Sequence, residues 1–357
     1  MIKVGINIYP LKSGHKDRGI GYYTNRLIEN LKKDNSVQVQ EFLKINELKN
    51  VDLVHYPWFD LFFHSLPIKK HFPTVVTIHD VIPLIFPAHY PTGLKGKINF
   101  FLQKLSLQTC DFFITDSKTS KEDLIRYLKI KDEKIKVIPL AADTRFRVLN
   151  DTELIRVKRK YHLPEQFLLY VGDANWIKNL TFLIEGFKEV VKLPDFNNVK
   201  LILVGGVFLK NVENIDHPEL QSLKKFNRII KEWGLEDKIL RPGQLDDEEL
   251  TAFYNLATIY IHPSLYEGFG LPILQAFSCG TPVVSSKGGS LSELGGNAAV
   301  YFDPSNLNQF KYIISEILKD RFLQSKLSKL GLKRATSFSW SKVINETKAV
   351  YEKVIRK

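Results

Sequence analysis

Short runs of β-branched and other apolar residues alternate with longer segments of helical period along most of this chain. That alternation leaves few folds open, because a parallel strand can only be followed by another through a crossover, usually a helix. In the first part it predicts strands at 2–9, 37–43, 52–55, 73–78, 112–115 and 135–138, with helices at 19–33, 94–109 and 118–129. The stretch 139–165 has no strand pattern and turns into a charged segment, and the domain boundary is placed there. A second alternation then begins, with strands at 167–172, 199–206, 238–240, 258–261 and 282–285 and helices at 178–191, 218–233 and 270–279. At roughly 150 residues per domain, 357 residues make two domains of one kind. The expectation is an α/β chain of two tandem Rossmann-like, doubly wound domains, residues 1–160 and 161–337, facing across a cleft. Ligands of such sheets bind beyond the carboxyl ends of the strands. Residues 338–357 contain Trp340, Val343, Ile344, Thr347, Val350, Tyr351 and Val354 at helical spacing, so an amphipathic terminal helix at 340–356 needs a surface to cover.

Composition narrows the class further. Apolar residues make up 44% and charged residues 25% of the chain, which excludes a disordered or low-complexity assembly. Two cysteines, Cys110 and Cys279, supply neither a disulfide scaffold nor a zinc-binding pair, and a reducing cytoplasm suits them. The apolar run at the start is too short for a signal peptide, and no segment reaches the roughly 20 apolar residues of a spanning helix. The net charge of +12 is uneven: residues 1–150 carry 23 Lys and Arg against 15 Asp and Glu. Such a field suits an anionic partner, whether a phosphorylated metabolite, a phospholipid or a nucleic acid.

Four stretches could carry chemistry. In Pro263–Ala276, Gly268 and Gly270 open the backbone after a strand and Pro272 suits a first helical turn. The amides of Phe269, Gly270 and Leu271 would then point outward as a receptor for an anion or for sugar hydroxyls. Glu267 stands just ahead of them and Gln275 follows eight residues later, near the same helical face. The same pattern also suits a plain glycine loop capped by a buried acid. In Tyr170–Leu180, Lys178 enters a helix N-terminus, where the dipole disfavours a cation unless an anion is also present. A diphosphate would supply one; a solvated lysine is the alternative. Gly19 and Gly21 precede the first helix and permit close backbone approach, or a tight turn alone. His79 and Asp80 leave the carboxyl end of strand 73–78, and Asp80 could equally cap the next turn.

These stretches together resemble the retaining glycosyltransferases of family 4, which have the glycosyltransferase B fold. The resemblance runs over essentially the whole chain. It implies that Glu267, the first acid of the family's paired-acid signature, lies near the donor sugar, and that Gln275 replaces the second acid, which binds the ribose. It further implies that Lys178 binds the donor diphosphate, with Ile177 where many members carry an arginine, and that His79 touches the transferred sugar. Gly19 and Gly21 match the glycine loop facing the diphosphate and acceptor. Arg241–Leu245 matches the loop whose backbone reads the base, so Leu245 is a donor-site candidate. The loop with Asp173, Trp176 and Asn179 resembles that of enzymes transferring mannose from GDP-mannose. Glu293, three residues after Ser290, matches an acid that begins the next helix, and reads as half of a capping box.

The implied activity is metal-independent, retaining transfer of a hexose from a nucleotide diphosphate sugar to a hydroxyl of a glycan or lipid-linked acceptor. No cofactor is expected, the nucleotide sugar being a co-substrate, and no nucleic acid. Rival readings are a nucleotide-sugar epimerase on the same architecture, an exported solute-binding protein, and a nucleic-acid binder, for which no zinc spacing, RNP pattern or basic helix run is present. Finally, no carboxylate lies between Asp80 and Asp111, while Lys95, Lys97 and Lys104 share a helix with Leu94, Ile98, Phe101, Leu102 and Leu105. Packing of that apolar stripe on the sheet is the default expectation. The alternative is peripheral contact with an anionic membrane at its cytoplasmic face, to which Trp58–Phe63 and Lys69–Lys70 would add.

Overall fold

The computed structural model describes residues 1–16, 18–212, 215 and 220–356. The chain divides into two compact units: Met1–Ala141 with Phe338–Lys357, and Ala142–Ser337. In the first unit the order is β1 (Ile2–Asn7), α1 (Gly19–Lys32), β2 (Val37–Phe42), β3 (Leu53–Tyr56), β4 (Thr74–Thr77), α2 (Ile82–Ile85), α3 (Leu94–Gln108), β5 (Phe112–Thr115), α4 (Lys118–Asp123) and β6 (Ile135–Val137). The strands form one six-stranded sheet, β2-β1-β3-β4-β5-β6, with every pairing parallel. The helix expected over 118–129 is α4 continued by a π-helical turn, Leu124–Leu128, that ends in left-handed Lys129.

In the second unit α5 (Asp151–Lys160) and β7 (Phe167–Val171) are followed by α6 (Leu180–Val191), β8 (Lys200–Val204), α7 (Gln221–Glu232), β9 (Ile239–Gly243) and α8 (Asp247–Leu256). Then come β10 (Ile259–His262), α9 (Leu271–Ser278), β11 (Val283–Ser285), α10 (Leu291–Gly295), β12 (Ala299–Tyr301), α11 (Leu307–Lys319) and α12 (Arg321–Ala335). Its sheet, β12-β11-β10-β7-β8-β9, is again all parallel. The strands are buried on both faces: Leu168, Leu169, Leu201, Ile202, Leu203, Tyr260 and Ile261 have no exposed surface. The first two residues of the helix expected over 218–233 lie outside the described residues.

The boundary expected at 160/161 is corrected to 141/142. Residues 142–160 fold with the second unit because α5 packs on α8 and the segment before it is tied there. Arg145 pairs with Asp247 at 2.6 Å, and the Asn255 side chain bonds both Leu149 N and Arg147 O at 2.9 Å. Helix α5 was legible locally, since Asn150 and Glu153 close a capping box around its first turn. The last helix, α13 (Trp340–Ile355), packs against α1, β3 and β4 of the first unit. Its inner face is the expected one, Trp340, Val343, Ile344, Thr347, Val350, Tyr351 and Val354 all being buried. Among the described residues no helix is long and apolar enough to cross a membrane.

Candidate functional site

In the second sheet β7 lies between β8, which follows it in the chain, and β10, which comes after two further crossovers. At such a switch point the loops leaving the two strands diverge to opposite faces and leave a crevice. The loops that open here are 172–179 and 263–270, the two stretches singled out in the sequence. They are tied together by the Leu265 amide donating to Ile177 O at 2.7 Å.

Lys178 and Glu267 meet at that point. Lys178 Nζ donates to Glu267 Oε1 at 2.7 Å, and His262 Nε2 donates to the same oxygen at 3.1 Å. A carboxylate only accepts, so His262 carries its proton on Nε2 and its Nδ1 takes the Tyr260 hydroxyl at 2.8 Å. Burial pushes the Glu267 carboxyl up, but the Lys178 charge and the two hydrogen bonds outweigh it and hold the group well below the usual carboxylate range. Lys178 ends a short 3₁₀ turn, Trp176–Lys178, and α6 starts only at Leu180 after left-handed Asn179. The lysine thus precedes the helix rather than entering it, and its counter-ion in the protein is Glu267. Around the pair, Asn175 Oδ1, Asn179 Nδ2 and Ser264 Oγ are buried with no partner among the described residues. Ile177, between Asn175 and Asn179 in the chain, is buried.

Gly270, at φ 98°, caps α9, and the first amides of that helix have no intrahelical partner. Leu271 begins the helix, while Phe269 is buried. The loop is held from below by Gly288 and Gly289, where a Cβ would stand 1.9 Å from Leu265 O and 2.3 Å from Glu267 O. Ser290 completes the support. Its amide donates to Glu267 O at 3.0 Å and its hydroxyl reaches Glu267 O at 3.1 Å and Phe269 O at 2.9 Å. The capping box expected of Ser290 and Glu293 therefore does not form; the hydroxyl is spent on the loop instead of the helix.

Gln275, expected near the same helical face as Glu267, has a partner of its own. Gln275 is buried within α9 and its Oε1 accepts from the Tyr254 hydroxyl at 3.1 Å. Asp173 shapes its own loop, Oδ1 accepting from Ala174 N at 2.8 Å and its carbonyl from the Tyr170 hydroxyl at 2.6 Å. Leu245 lies half-buried between β9 and α8. Sequence reasoning missed His262, which sits at a strand end five residues before Glu267 without any local motif to mark it.

The remaining candidates belong to the first unit, whose switch point lies between β1 and β3. A Cβ on Gly21 would stand 2.4 Å from both His15 O and Lys16 O, so those two carbonyls lie against the start of α1 only because this residue is glycine. Gly19 has open space around it. Beside this loop Tyr9 stacks on Trp58 at 5.1 Å. His79 follows β4 and faces Tyr23 edge-on at 4.8 Å. Its Nδ1 is 2.7 Å from Asp116 Oδ2 and its Nε2 3.2 Å from Pro57 O. Asp80 caps the following turn through Ile82 N at 3.0 Å.

On helix α3 the expected packing is corrected. Leu94, Ile98 and Phe101 are 76%, 53% and 62% exposed, and the buried face is Gln103, Ser106 and Leu107. The polar face turns inward because loop 60–66 offers it backbone partners. Gln103 Nε2 donates to Asp60 O at 2.8 Å, Leu66 N to Gln103 Oε1 at 3.3 Å, and Ser106 Oγ to Leu66 O at 3.1 Å.

Comparison with known proteins identifies the family. Residues 18–146 match Glycosyltransferase Family 4, and residues 151–334, more than half the chain, match Glycosyl transferases group 1. The chain belongs to the group 1 glycosyl transferases. This glycosyltransferase is 29% identical over 281 residues to the O-antigen chain mannosyltransferase B of Escherichia coli, covering 78% of its own length and 70% of that protein's. It is 28% identical over 272 residues to the serotype-specific mannosyltransferase WbdA of E. coli, spanning 75% of itself but only 32% of that longer protein. Sucrose-phosphate synthase from Thermosynechococcus elongatus shares its fold, with a TM-score of 0.79 at 18% identity and 100% coverage of both chains. The fold is therefore the glycosyltransferase B fold, and by its family and mannosyltransferase relatives the glycosyltransferase is a hexosyltransferase.

Proposed function

We propose that this glycosyltransferase transfers a hexose, with retention and without a metal ion, from a nucleotide diphosphate sugar to a hydroxyl of a glycan or lipid-linked acceptor in polysaccharide or glycolipid synthesis. The mannosyltransferases it resembles support mannose as the hexose, and the resemblance of the loop with Asp173, Trp176 and Asn179 supports GDP-mannose as the donor. The observation that carries the reading is the Lys178–Glu267–His262 cluster at the switch point beside the amides of Gly270 and Leu271. As the glycosidic bond breaks, negative charge builds on the leaving diphosphate. Lys178 and the helix-start amides are fixed donors that stabilise it, with no reorganisation at the moment of reaction. Glu267 keeps Lys178 in place before the donor arrives and accepts a sugar hydroxyl. Gln275, its carbonyl taken by Tyr254, meets the ribose as a donor through Nε2 rather than as an acceptor. His79 contacts the transferred sugar. Asp173, Leu245 and Phe269 shape the donor loops, Gly19 lets the backbone approach the ligand, and Gly21 lets the loop beside it close. Attack on the same face as departure, with the leaving phosphate taking the acceptor proton, accounts for retention.

Thermal-shift measurements with GDP-mannose, UDP-glucose and ADP-glucose test the donor, since a ligand at 100 times its Kd stabilises by about 2.7 kcal/mol. GDP-mannose should raise Tm most; a rise with UDP-glucose alone would replace the donor. Transfer should persist in EDTA and give an axial product anomer by NMR. Release of an altered free sugar without acceptor would make the protein an epimerase.

The exposed Leu94, Ile98 and Phe101, rimmed by exposed Lys95, Lys97 and Lys104 and with Phe63 69% exposed, suit an anionic membrane surface where a lipid-linked acceptor resides. Vesicles containing anionic lipid should sediment the protein at low salt, and Phe101→Ser with Leu94→Ser should abolish this. Equal sedimentation by neutral vesicles, or by the variant, removes the membrane from the reading.

A further inference from the structure

Strands β4 and β5 pair with Thr77 opposite Ile114 and with Ile78 N donating to Ile114 O at 2.9 Å. That register carries two residues further to bring His79 opposite Asp116. On the other side of β4, β3 ends beside it and delivers Pro57. The imidazole is thus clamped across the carboxyl ends of three neighbouring strands, Nδ1 against Asp116 Oδ2 at 2.7 Å and Nε2 against Pro57 O at 3.2 Å. Its backbone is held too, the carbonyl accepting from Ser120 Oγ at 3.0 Å. Asp116 itself lies behind the ring, with 3% of its side chain exposed against 16% for His79. Its second oxygen, Oδ1, has no partner among the described residues, so this buried carboxyl serves one imidazole.

We propose that Asp116 is the positioning residue of the sugar-binding site. Through Nδ1 it fixes the His79 ring and its protonation, so that the one Nε2–H, held toward Pro57 O at 3.2 Å, is shared with a hydroxyl oxygen of the transferred hexose when the donor binds. The inference rests on the reading of His79 given above. A carbonyl only accepts, so Nε2 must carry hydrogen, and the remaining proton lies between Nδ1 and Asp116. Burial lowers the His79 pKa, but the Asp116 charge and hydrogen bond outweigh it and the group is raised. Asp116 is raised as well, burial outweighing the histidine, so the pair holds its shared proton more firmly than separate groups would. The other titratable groups near the ring do not compete. His55 is held neutral by burial, its pKa lowered to about 3, and burial raises Tyr23 far above neutrality. Asp80, next in the chain, adds to the charge that keeps the imidazole protonated.

The test uses the full chain with Asp116→Asn. The His79 titration, followed by ¹⁵N NMR without any ligand, should move down by about one to three pH units. Turnover with the donor identified by thermal shift should fall by about 10- to 100-fold, with acceptor KM little changed. In a His79→Ala background the same substitution should cost nothing more, because Asp116 acts through the ring. An unmoved His79 titration, or a full additional loss in the His79→Ala background, overturns the proposal. Asp116→Ser, which leaves a hydroxyl facing Nδ1, takes the place of Asp116→Asn if the latter does not fold. Absence of transfer in the wild-type protein would refute the functional reading alone, since the NMR titration still decides whether Asp116 governs His79.

Discussion

Lys178 and His262 both donate to one oxygen of Glu267, so neither side chain can be changed without altering the charge the other sees. In Lys178→Ala the carboxylate keeps only the His262 hydrogen bond. The fold should survive with a loss of about 1–3 kcal/mol, while turnover falls by about 10²–10³, the usual worth of one fixed donor at a developing anion. Steady-state kinetics beside a thermal melt checks both numbers, and unchanged turnover would remove Lys178 from the site. At this scale the sequence carried the candidates that local chemistry marks, such as a lysine after a strand and an acid before two glycines. It did not carry their partners. His262, Asp116 and Ser290 act on residues 5, 37 and 23 positions away, and only sheet register and loop packing bring them there.

At the scale of elements, the loop between β1 and α1 shows how a glycine's neighbourhood decides its value. Gly21 is pressed against the carbonyls of His15 and Lys16, whereas Gly19, two residues earlier, meets nothing. Gly21→Ala should displace the loop and lower stability by about 1–3 kcal/mol, and Gly19→Ala should be close to neutral. Denaturant melts of the two variants provide the comparison, and equal effects would contradict the packing described. Helix α3 carries the opposite lesson. Its apolar stripe reads as a core face by period, yet Gln103 and Ser106 are buried in its stead, because loop 60–66 satisfies their polar groups and water does not have to.

For the whole molecule, the first unit is discontinuous: its sheet is covered by a helix that the chain reaches only after building the second unit. Helix α13 buries Trp340, Val343, Ile344, Val350, Tyr351 and Val354, and the Tyr351 hydroxyl bonds His55 Nδ1 at 2.7 Å, while His55 Nε2 bonds Thr77 at 2.8 Å. Each of these side chains is worth about 1.5–3 kcal/mol when buried, so together they match the stability of an ordinary domain. Deleting residues 338–357 should therefore expose residues 1–141 to rapid hydrogen exchange and leave 142–337 protected. Uniform loss of protection in both units would count against this division of labour.

The alternation of strand and helix periods sufficed by itself for two parallel α/β sheets. The strand limits it implied fall within a few residues of those observed, because strands buried on both faces must be apolar throughout. The residues of the two diagnostic loops were legible for the same reason, since backbone geometry there demands glycine and proline locally. Where the first unit ends, which face of α3 is covered, and which side chains meet Glu267 and His79 were decided only by tertiary structure. Those outcomes depend on hydrogen-bond partners far away in sequence, and no local period or motif records a partner that distance hides.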